Sequence, residues 1–534
     1  MQLGSKHRPK MTTRPTPKRK WAPKGKGACN TCRSRHVRCD EQQPRCAPCQ
    51  KSSRQCSYSA NPDPDPLKIV LWESNRLTLH QMSQNPSHTN DEIRAFDFFR
   101  TKVAVNLSGA FDSTFWTSDI LQVAQREDPV RHAIVALASL SETMLKATSN
   151  SSKSSPEVFA IRQHAKAISD LRKGMQQNIG WSPEVILISC ALFICFEMFQ
   201  SHHESALSQM SSGVFVFYNW HSKLRRESYS SSLGWREISS ELTIQLERIF
   251  GRLMLQTILF IDTKPAEWKF ITPAFTPALP SIPSNFSSID KARDCLDSCL
   301  CSIYHQTITA QFQGLKTYDF SESPAGPASQ LGLDSLNQWS TGFKSFILAY
   351  KGTFPPKEQK AAILLEVQQL TGFILASAAP FTQETIFDSF EKDFSQIITL
   401  AAHFLSNNNG SDADPETGCF PAFDMGILPH LYLVASRCRH PSIRRQALQL
   451  LQLGPRQEGI WHRDVLANTA ERIMAIEESG LEGVLRSADI PASARLSVMN
   501  ATIDSRNQTI TLHCGRLKAG EGGKIEVIHD LVEY

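Results

Sequence analysis

Six of the 14 cysteines in this 534-residue chain lie within 28 consecutive residues, and their spacing constrains the fold more than any other feature. The segment contains the pattern C-x2-C-x6-C twice, so it is an internal duplication of a three-cysteine half. The segment has too few apolar residues for a core of its own, so we expect bound metal to supply its folding free energy. The predicted metal ligands are Cys29, Cys32, Cys39, Cys46, Cys49 and Cys56.

Coordination number narrows the choice of metal site. Structural zinc takes four tetrahedral ligands, and thiolates in a C-x2-C turn are typical ones. Six thiolates either fill one site and leave two unused, or serve two metals with two sulfurs shared. The duplication favours two metals, because each half then offers the same three ligands. A disulfide framework is disfavoured because no secretory signal precedes the segment. A ring-type finger needs a longer gap and usually a histidine between its ligand pairs.

Charge is concentrated at the same end of the chain. Residues 1–56 carry a net charge of +13, while the whole chain carries +5, so residues 57–534 carry −8. A basic segment attached to an acidic body is typical of a polyanion-binding module on a larger domain. We predict that the arm 1–28 is disordered. Five of its basic residues could serve either as a nuclear import signal or in non-specific contact with DNA phosphates. These residues are Lys18, Arg19, Lys20, Lys24 and Lys26.

The cysteine segment resembles the fungal binuclear zinc cluster DNA-binding domain. The resemblance rests on the cysteine spacing, the basic run Cys32–Glu41, Pro44 and the sequence Cys56-Ser-Tyr. It implies two zinc ions per chain, with Cys29 and Cys46 bridging them. Cys32 and Cys39 then complete one site, and Cys49 and Cys56 complete the other. It also implies a nuclear transcription regulator of the RNA polymerase II type whose partners are double-stranded DNA and the transcription machinery.

The two halves differ in charge, which bears on DNA binding. The first half holds Arg33, Arg35, His36 and Arg38 between its last two cysteines, whereas the second holds only Lys51 and Arg54. The first half is therefore the better candidate for the major groove. The resemblance implies recognition of a CGG-like triplet. We expect Arg35 and His36 to contact bases, because an arginine can bond guanine O6 and N7 together, and Arg33 and Arg38 to contact phosphates. Each arginine also has a purely structural interpretation, which is to offset the negative charge of the cluster.

The rest of the chain is predicted to be mostly helical. We divide it into a linker at 57–90, a large all-α regulatory domain at 91–480 and a C-terminal segment at 481–534 with short β-strands. Helical patterns are predicted over 130–147, 156–178, 204–219, 240–260, 288–313, 335–350, 358–378, 384–405, 425–437, 441–453 and 460–478, and over the apolar run Val185–Phe196. That run is too short to span a bilayer, so no membrane association is expected. Strand-like alternation appears at Thr509–His513 and Lys524–His529.

Several stretches of the body resemble the fungal-specific transcription factor domain. They include Val130-Arg-His-Ala-Ile-Val-Ala-Leu, Arg437-Cys-Arg-His-Pro and Glu458-Gly-Ile-Trp461, and they imply a regulatory role. The body lacks a G-x-S-x-G elbow, a P-loop and an H-E-x-x-H motif, so no enzyme is predicted. The alternative function is a helical metabolite-sensing or catalytic protein that the cluster anchors to DNA. The stretch after the cluster does not sustain a coiled-coil heptad, so the chain either forms a homodimer through the helical body or binds as a monomer.

Overall fold

The structure, a computed structural model, has two units, Met1–Pro86 and Ser87–Tyr534. It describes residues 29–57 except 36 and 43, 89–147 except 112, 155–176, 181–230, 241–259, 278–314, 327–350, 354–379, 383–406, 420–517 except 506, and 525–534. The predicted basic arm at 1–28, most of the predicted linker, and the polar stretch 407–416 lie outside these residues. In the first unit, the two five-residue helices, α1 (Asn30–Ser34) and α2 (Ala47–Lys51), each contain one cysteine and begin directly after another.

The second unit is helical over most of its described length, as predicted. Its helices are α3 (Asn90–Phe98), α4 (Ala104–Leu107), α5 (Ile120–Ala124), α6 (Asp128–Ala147), α7 (Ser155–Gln176), α8 (Pro183–Phe199), α9 (His203–Ser230), α10 (Glu241–Leu259), α11 (Ile289–Gly314), α12 (Pro327–Tyr350), α13 (Pro356–Ala378), α14 (Glu391–Ser406), α15 (Leu428–Arg437), α16 (Pro441–Leu453) and α17 (Arg463–Glu477). Short π-helical turns at Phe99–Val103 and Phe115–Asp119 and 3-10 turns at Glu384–Phe390 and Ser487–Asp489 join them.

Local sequence signals explain where the helices begin. Ser182 caps α8 by accepting a hydrogen bond from the Val185 amide at 3.4 Å, and Pro183 occupies the first helical turn. Helix α3 begins with a capping box in which the Glu92 amide donates to Thr89 Oγ1 and the Thr89 amide donates to the Glu92 carboxylate. Glu92 is itself buried and accepts from Gln163 on α7 at 2.8 Å, so the cap also joins two helices.

The C-terminal strands belong to the same core as the helices. Strands β3 (Leu496–Asp504), β4 (Thr509–Leu517) and β5 (Ile525–Glu533) form an antiparallel sheet in the order β3-β4-β5. Two of these strands were predicted, and β3 was not. A short hairpin, β1 (Gln457–Glu458) and β2 (Trp461–His462), was also not predicted, and α17 begins after it rather than at residue 460. Buried side chains of the sheet, among them Leu512 and Val532, pack in one hydrophobic cluster with the helices.

A network of buried ion pairs connects the three-stranded C-terminal sheet to the helices. Glu477 at the end of α17 is fully buried and accepts from Arg439 at 2.7 Å and from Arg444 at 2.9 Å. The same carboxylate accepts from the backbone amide of Leu496, the first residue of β3, at 2.8 Å. Both arginines are also fully buried. Removing one partner of such a network typically costs about 3–5 kcal/mol, because the remaining charge stays buried without compensation.

One described helix, α13, is long and apolar enough to cross a membrane by length and composition alone. Of its most apolar 18-residue window, 61% is buried inside the unit, where the helix packs against α11, α12, α14 and α15. Its buried residues include the polar Gln368, Gln369 and Thr371. These contacts are those of a core helix in a folded domain.

Another buried carboxylate, unlike that of Glu477, has no arginine or lysine partner among the described residues. Glu458 in β1 accepts from the amide of Leu428 at 2.8 Å, at the beginning of α15. Burial raises the pKa of Glu458 to about 7, although hydrogen bonds from the Leu428 and Ile427 amides oppose the rise. Gly426 leaves room for this side chain, since a Cβ there would lie 2.1 Å from Glu458 Oε1.

The Glu458→Gln substitution should therefore change how stability depends on pH. The folded-state pKa of about 7 lies above the value of about 4.3 in an unfolded chain, so the folded protein binds more protons between these pH values. The stability that the neutral carboxyl contributes is present at acid pH and is lost as the pH rises toward 7. We expect Glu458→Gln to stabilise the protein by up to about 4 kcal/mol at pH 8 and to have little effect at pH 4.5. Urea denaturation at both values measures this, with the exposed Glu482→Gln as control. Equal effects of Glu458→Gln at both pH values would contradict the prediction.

Candidate metal centre and nucleic-acid interface

The two halves of the cysteine segment fold alike. Helix α1 begins directly after Cys29 and α2 directly after Cys46, at an offset of 17 residues. Helix α2 ends in a Schellman motif, in which the Arg54 amide donates to the Cys49 carbonyl and the Ser53 amide to the Gln50 carbonyl. Ser53 has the left-handed conformation that this ending requires, with φ of 50°. In the first half, the Val37 amide donates to the Cys32 carbonyl at the equivalent position.

Each half also supplies the helix cap of the other. The amide of Asn30, the first residue of α1, donates to the carbonyl of Ser57 at 2.8 Å. The amide of Ala47, the first residue of α2, donates to both carboxylate oxygens of Asp40, at 3.2 and 3.1 Å. Ser57 and Asp40 each follow the third cysteine of their half. The halves therefore depend on each other for the hydrogen bonds at their helix N-termini.

The six sulfur atoms converge in two overlapping groups of four. One group is Cys29, Cys32, Cys39 and Cys46, and the other is Cys29, Cys46, Cys49 and Cys56. Within each group, all ligand atoms lie within 4.8 Å of one another, and Cys29 and Cys46 belong to both.

The sulfur separations agree with tetrahedral zinc. The Sγ atoms of Cys29 and Cys46 lie 3.6 Å apart, those of Cys32 and Cys46 3.6 Å, and those of Cys46 and Cys56 3.7 Å. Four sulfurs at the usual Zn–S distance of about 2.3 Å from one ion are separated by about 3.8 Å. The residues present thus fit two zinc ions. Among the described residues, these two are the groups of three or more side chains that could hold a metal, and Cys295, Cys299 and Cys301 on α11 are not among them.

The surroundings of the thiols favour the thiolate form of Cys29 and disfavour the thiolate form of Cys32. Burial raises the pKa of Cys29, but hydrogen bonds from the Cys32 amide and the neighbouring thiols outweigh it and lower that pKa to about 6. Burial and the Cys29 thiol together raise the pKa of Cys32 to about 12. Packed thiols cannot all ionise without a cation among them, and zinc binds the thiolate form.

The predicted DNA-contacting side chains differ in how the structure holds them. Arg38, Lys51 and Arg54 are exposed. Arg35 is half-buried, and its Nη1 donates to Ser52 Oγ at 2.9 Å. Ser52 in turn donates to the Pro48 carbonyl of α2 at 2.8 Å, so Arg35 is tied to the second half. His36 and the side chain of Arg33 lie outside the described residues.

One exposed arginine escaped the sequence analysis. Arg45 lies between the two halves, directly before the shared Cys46, and its side chain is exposed. The available signal is a basic residue adjoining a cysteine, but Arg45 lies in the x6 gap between the two halves, whereas the prediction took basic residues only from the gaps within each half.

Comparisons with known proteins agree with this geometry. Residues 27–64 match the fungal Zn(2)-Cys(6) binuclear cluster domain. The aspercryptin biosynthesis cluster-specific transcription regulator atnN of Emericella nidulans is 22% identical over 95% of this chain and 96% of its own length. The Zn(2)-C6 fungal-type transcription factor afumD of Aspergillus fumigatus is 25% identical over 22% of this chain and 32% of its own length. Adhesion and hyphal regulator 1 of Candida albicans is 61% identical over 6% of this chain and 5% of its own length. No solved structure matches the chain.

The first unit therefore contains a fungal binuclear zinc cluster, a domain that binds two zinc ions through clustered cysteines. Together with the similarity to atnN over 95% of the chain, this domain supports a DNA-binding transcription regulator of the fungal binuclear zinc cluster class. The predictions of the domain class, the zinc cofactor and the fold class are confirmed.

Removing zinc should unfold the first unit and leave the second intact. We expect elemental analysis of the full chain to give two zinc ions. A strong chelator should then make Arg38 and Arg54 susceptible to trypsin, because the metal stands in for the core of this unit. Far-UV circular dichroism should change little, since the helical unit has its own hydrophobic core. Loss of most of the helical signal together with the zinc would contradict this expectation.

Proposed function

We propose that this chain is a nuclear regulator of RNA polymerase II transcription that recognises CGG-like triplets through its zinc cluster. The observation that carries the proposal is the pair of overlapping four-sulfur groups, set among exposed basic side chains. The similarity to atnN over 95% of the chain supports a regulator of the same general organisation. Because atnN is a regulator specific to a biosynthesis cluster, a set of biosynthetic genes is the proposed class of target.

We assign Cys29 and Cys46 as the bridging ligands. Cys32 and Cys39 complete the first zinc site, and Cys49 and Cys56 complete the second. Membership of both sulfur groups supports this assignment, as does the 3.6 Å separation of the two shared sulfur atoms. Two Zn²⁺ with six thiolates leave a net charge of −2, which the neighbouring arginines and lysines offset.

Because a bridging cysteine binds both zinc ions, replacing it should release more zinc than replacing a cysteine that binds only one. Cys29→Ser removes a ligand from both sites, so we expect both zinc ions to be lost to a competing chelator of moderate affinity. Cys39→Ser leaves the group Cys29, Cys46, Cys49 and Cys56 complete, so one zinc should be retained. Elemental analysis after dialysis against the chelator counts the ions. The control is Cys190→Ser, a half-buried thiol of α8, which should keep two. Equal losses from Cys29→Ser and Cys39→Ser would disprove the sharing.

The DNA-binding surface is assigned to the basic side chains of the cluster. Arg35 and His36 contact bases, Arg33 and Arg38 contact phosphates, and Lys51 and Arg54 add positive charge from the second half. The bond to Ser52 supports the role of Arg35, because a guanidinium held on one side loses less conformational entropy when it bonds a base. The arm residues Lys18, Arg19, Lys20, Lys24 and Lys26 serve nuclear import or phosphate contact.

The helical unit is assigned as the regulatory domain of the fungal-specific transcription factor kind. Its remaining partners are the transcription machinery and a second copy of the chain. Dimerisation through this unit would supply a second triplet, because a single cluster that recognises about three base pairs selects too little sequence.

Substitutions in the two basic regions should have different effects on DNA binding. Arg35→Ala should relax the preference at one guanine by about 1–3 kcal/mol, roughly 5- to 150-fold in relative affinity. The double substitution Lys24→Gln and Lys26→Gln should weaken binding to all sequences and reduce the slope of log K against log salt. Random-site selection and salt titrations with the full chain measure both effects. Arg486→Gln, on an exposed arginine of the second unit, is the control. Unchanged base preference in Arg35→Ala would contradict its role.

A further inference from the structure

Two histidines face each other on the C-terminal sheet. His513 of β4 lies directly opposite His529 of β5 in the antiparallel register. Their Nδ1 atoms are 2.7 Å apart, and the two rings are nearly perpendicular, at 83°, with centroids 4.8 Å apart. Neither the zinc cluster nor the proposed regulatory role accounts for this pair.

The pair lies on the solvent-facing side of the sheet. Leu512 and Cys514, the neighbours of His513 along β4, are buried in the core, so His513 points the other way. His529 is exposed, and Val527 and Leu531, two residues away on either side, are 50% and 61% exposed. Strand β5 is an edge of the sheet, so an ion can approach the pair from solvent.

The nearest charged side chains of these strands lie on the other face of the sheet. Arg516 donates to Glu526 at 2.9 Å, and Arg472 of α17 binds Asp530. Residues 516, 526 and 530 alternate with the two histidines along their strands, so they share the face of Leu512 and Cys514. On the histidine face, the described neighbours along β4 and β5 carry no charge; they are Thr511, Gly515, Val527 and Leu531.

The separation of the nitrogens suits chelation of one metal ion. Imidazole nitrogens bind first-row transition metals at about 2.0–2.1 Å, so two of them in cis positions of a square-planar or octahedral site lie about 2.9 Å apart. A tetrahedral ion would require about 3.3 Å. The 2.7 Å separation is therefore nearer to the square or octahedral geometry of Cu²⁺ and Ni²⁺ than to that of Zn²⁺.

We propose that His513 and His529 form a bidentate site for a divalent transition-metal ion of the Ni²⁺ or Cu²⁺ type, with water in the remaining positions. Without metal, one Nδ1–H donates to the other Nδ1. On binding, the donor ring carries its proton on Nε2 instead, so that both Nδ1 lone pairs turn to the ion and no net proton is released. The ligand chemistry differs from that of the thiolate cluster, so the two kinds of site select different metals.

The site can be tested on the zinc-loaded full chain. Calorimetric titration with NiCl₂ should show one further equivalent bound per chain, while elemental analysis shows that both zinc ions remain. His513→Gln and His529→Gln should each weaken Ni²⁺ binding at least tenfold, and the double variant should be no weaker than either single one, because one lost ligand already destroys the chelate. His403→Gln, on an exposed histidine of α14, should bind as the wild type does.

Three results would overturn the proposal. The first is absence of a further Ni²⁺ equivalent in the wild-type chain. The second is equal Ni²⁺ affinity in His513→Gln and His403→Gln, with circular dichroism showing both variants folded. The third is Ni²⁺ uptake matched by loss of zinc, which would place the ion in the cluster.

Discussion

The bonding of six thiolates to two metal ions determines the form of the whole first unit. Among its described residues, the buried core consists of Cys29, Cys32, Cys46 and Cys49, with Cys39 and Cys56 packed against it. No aliphatic or aromatic side chain of the residues that the structure describes shares this core, so metal–sulfur bonds take the place of the hydrophobic effect there. The two five-residue helices are too short to be stable alone, and they exist because the cysteine before each helix and the cysteine within it are held in place. The positions of the exposed basic side chains in this unit are therefore a consequence of coordination chemistry.

The second unit is stabilised in a different way. One hydrophobic cluster joins its helices and its C-terminal sheet, and arginine–carboxylate pairs lie inside it. Arg293, which is almost fully buried, donates to Asp424 at 2.6 Å and lies 3.6 Å from the centre of the Phe111 ring. Arg439, Arg444 and Glu477 form a comparable buried group. Such networks add geometric specificity, because each charge must find its own partner before the core can close.

Much of this was predictable from sequence, for physical reasons that can be named. The cysteine spacing predicted the metal centre because coordination number leaves few arrangements for six thiolates. The apolar run Val185–Phe196 predicted most of α8 because an apolar run of that length is typical of a buried helix. The hairpin around Gly459, whose φ of 56° forms the turn, was missed because two-residue strands have no periodicity. The bond between Arg35 and Ser52 and the burial of Glu477 were also missed. Spacing along the sequence does not show which distant side chains come into contact, nor which charged side chains become buried.

The exchange of helix caps between the two halves of the cluster affects how the domain assembles. The N-terminus of each helix is satisfied by a residue beyond the last cysteine of the other half, Ser57 for α1 and Asp40 for α2. A chain with only one half ordered would hold a helix with unsatisfied amides next to an incomplete set of ligands. Loss of order in one half therefore costs the other half a helix cap, so a domain that holds a single zinc is less stable than one that holds two. Binding of the first zinc should favour binding of the second, and the response to zinc availability is then steeper than for two independent sites.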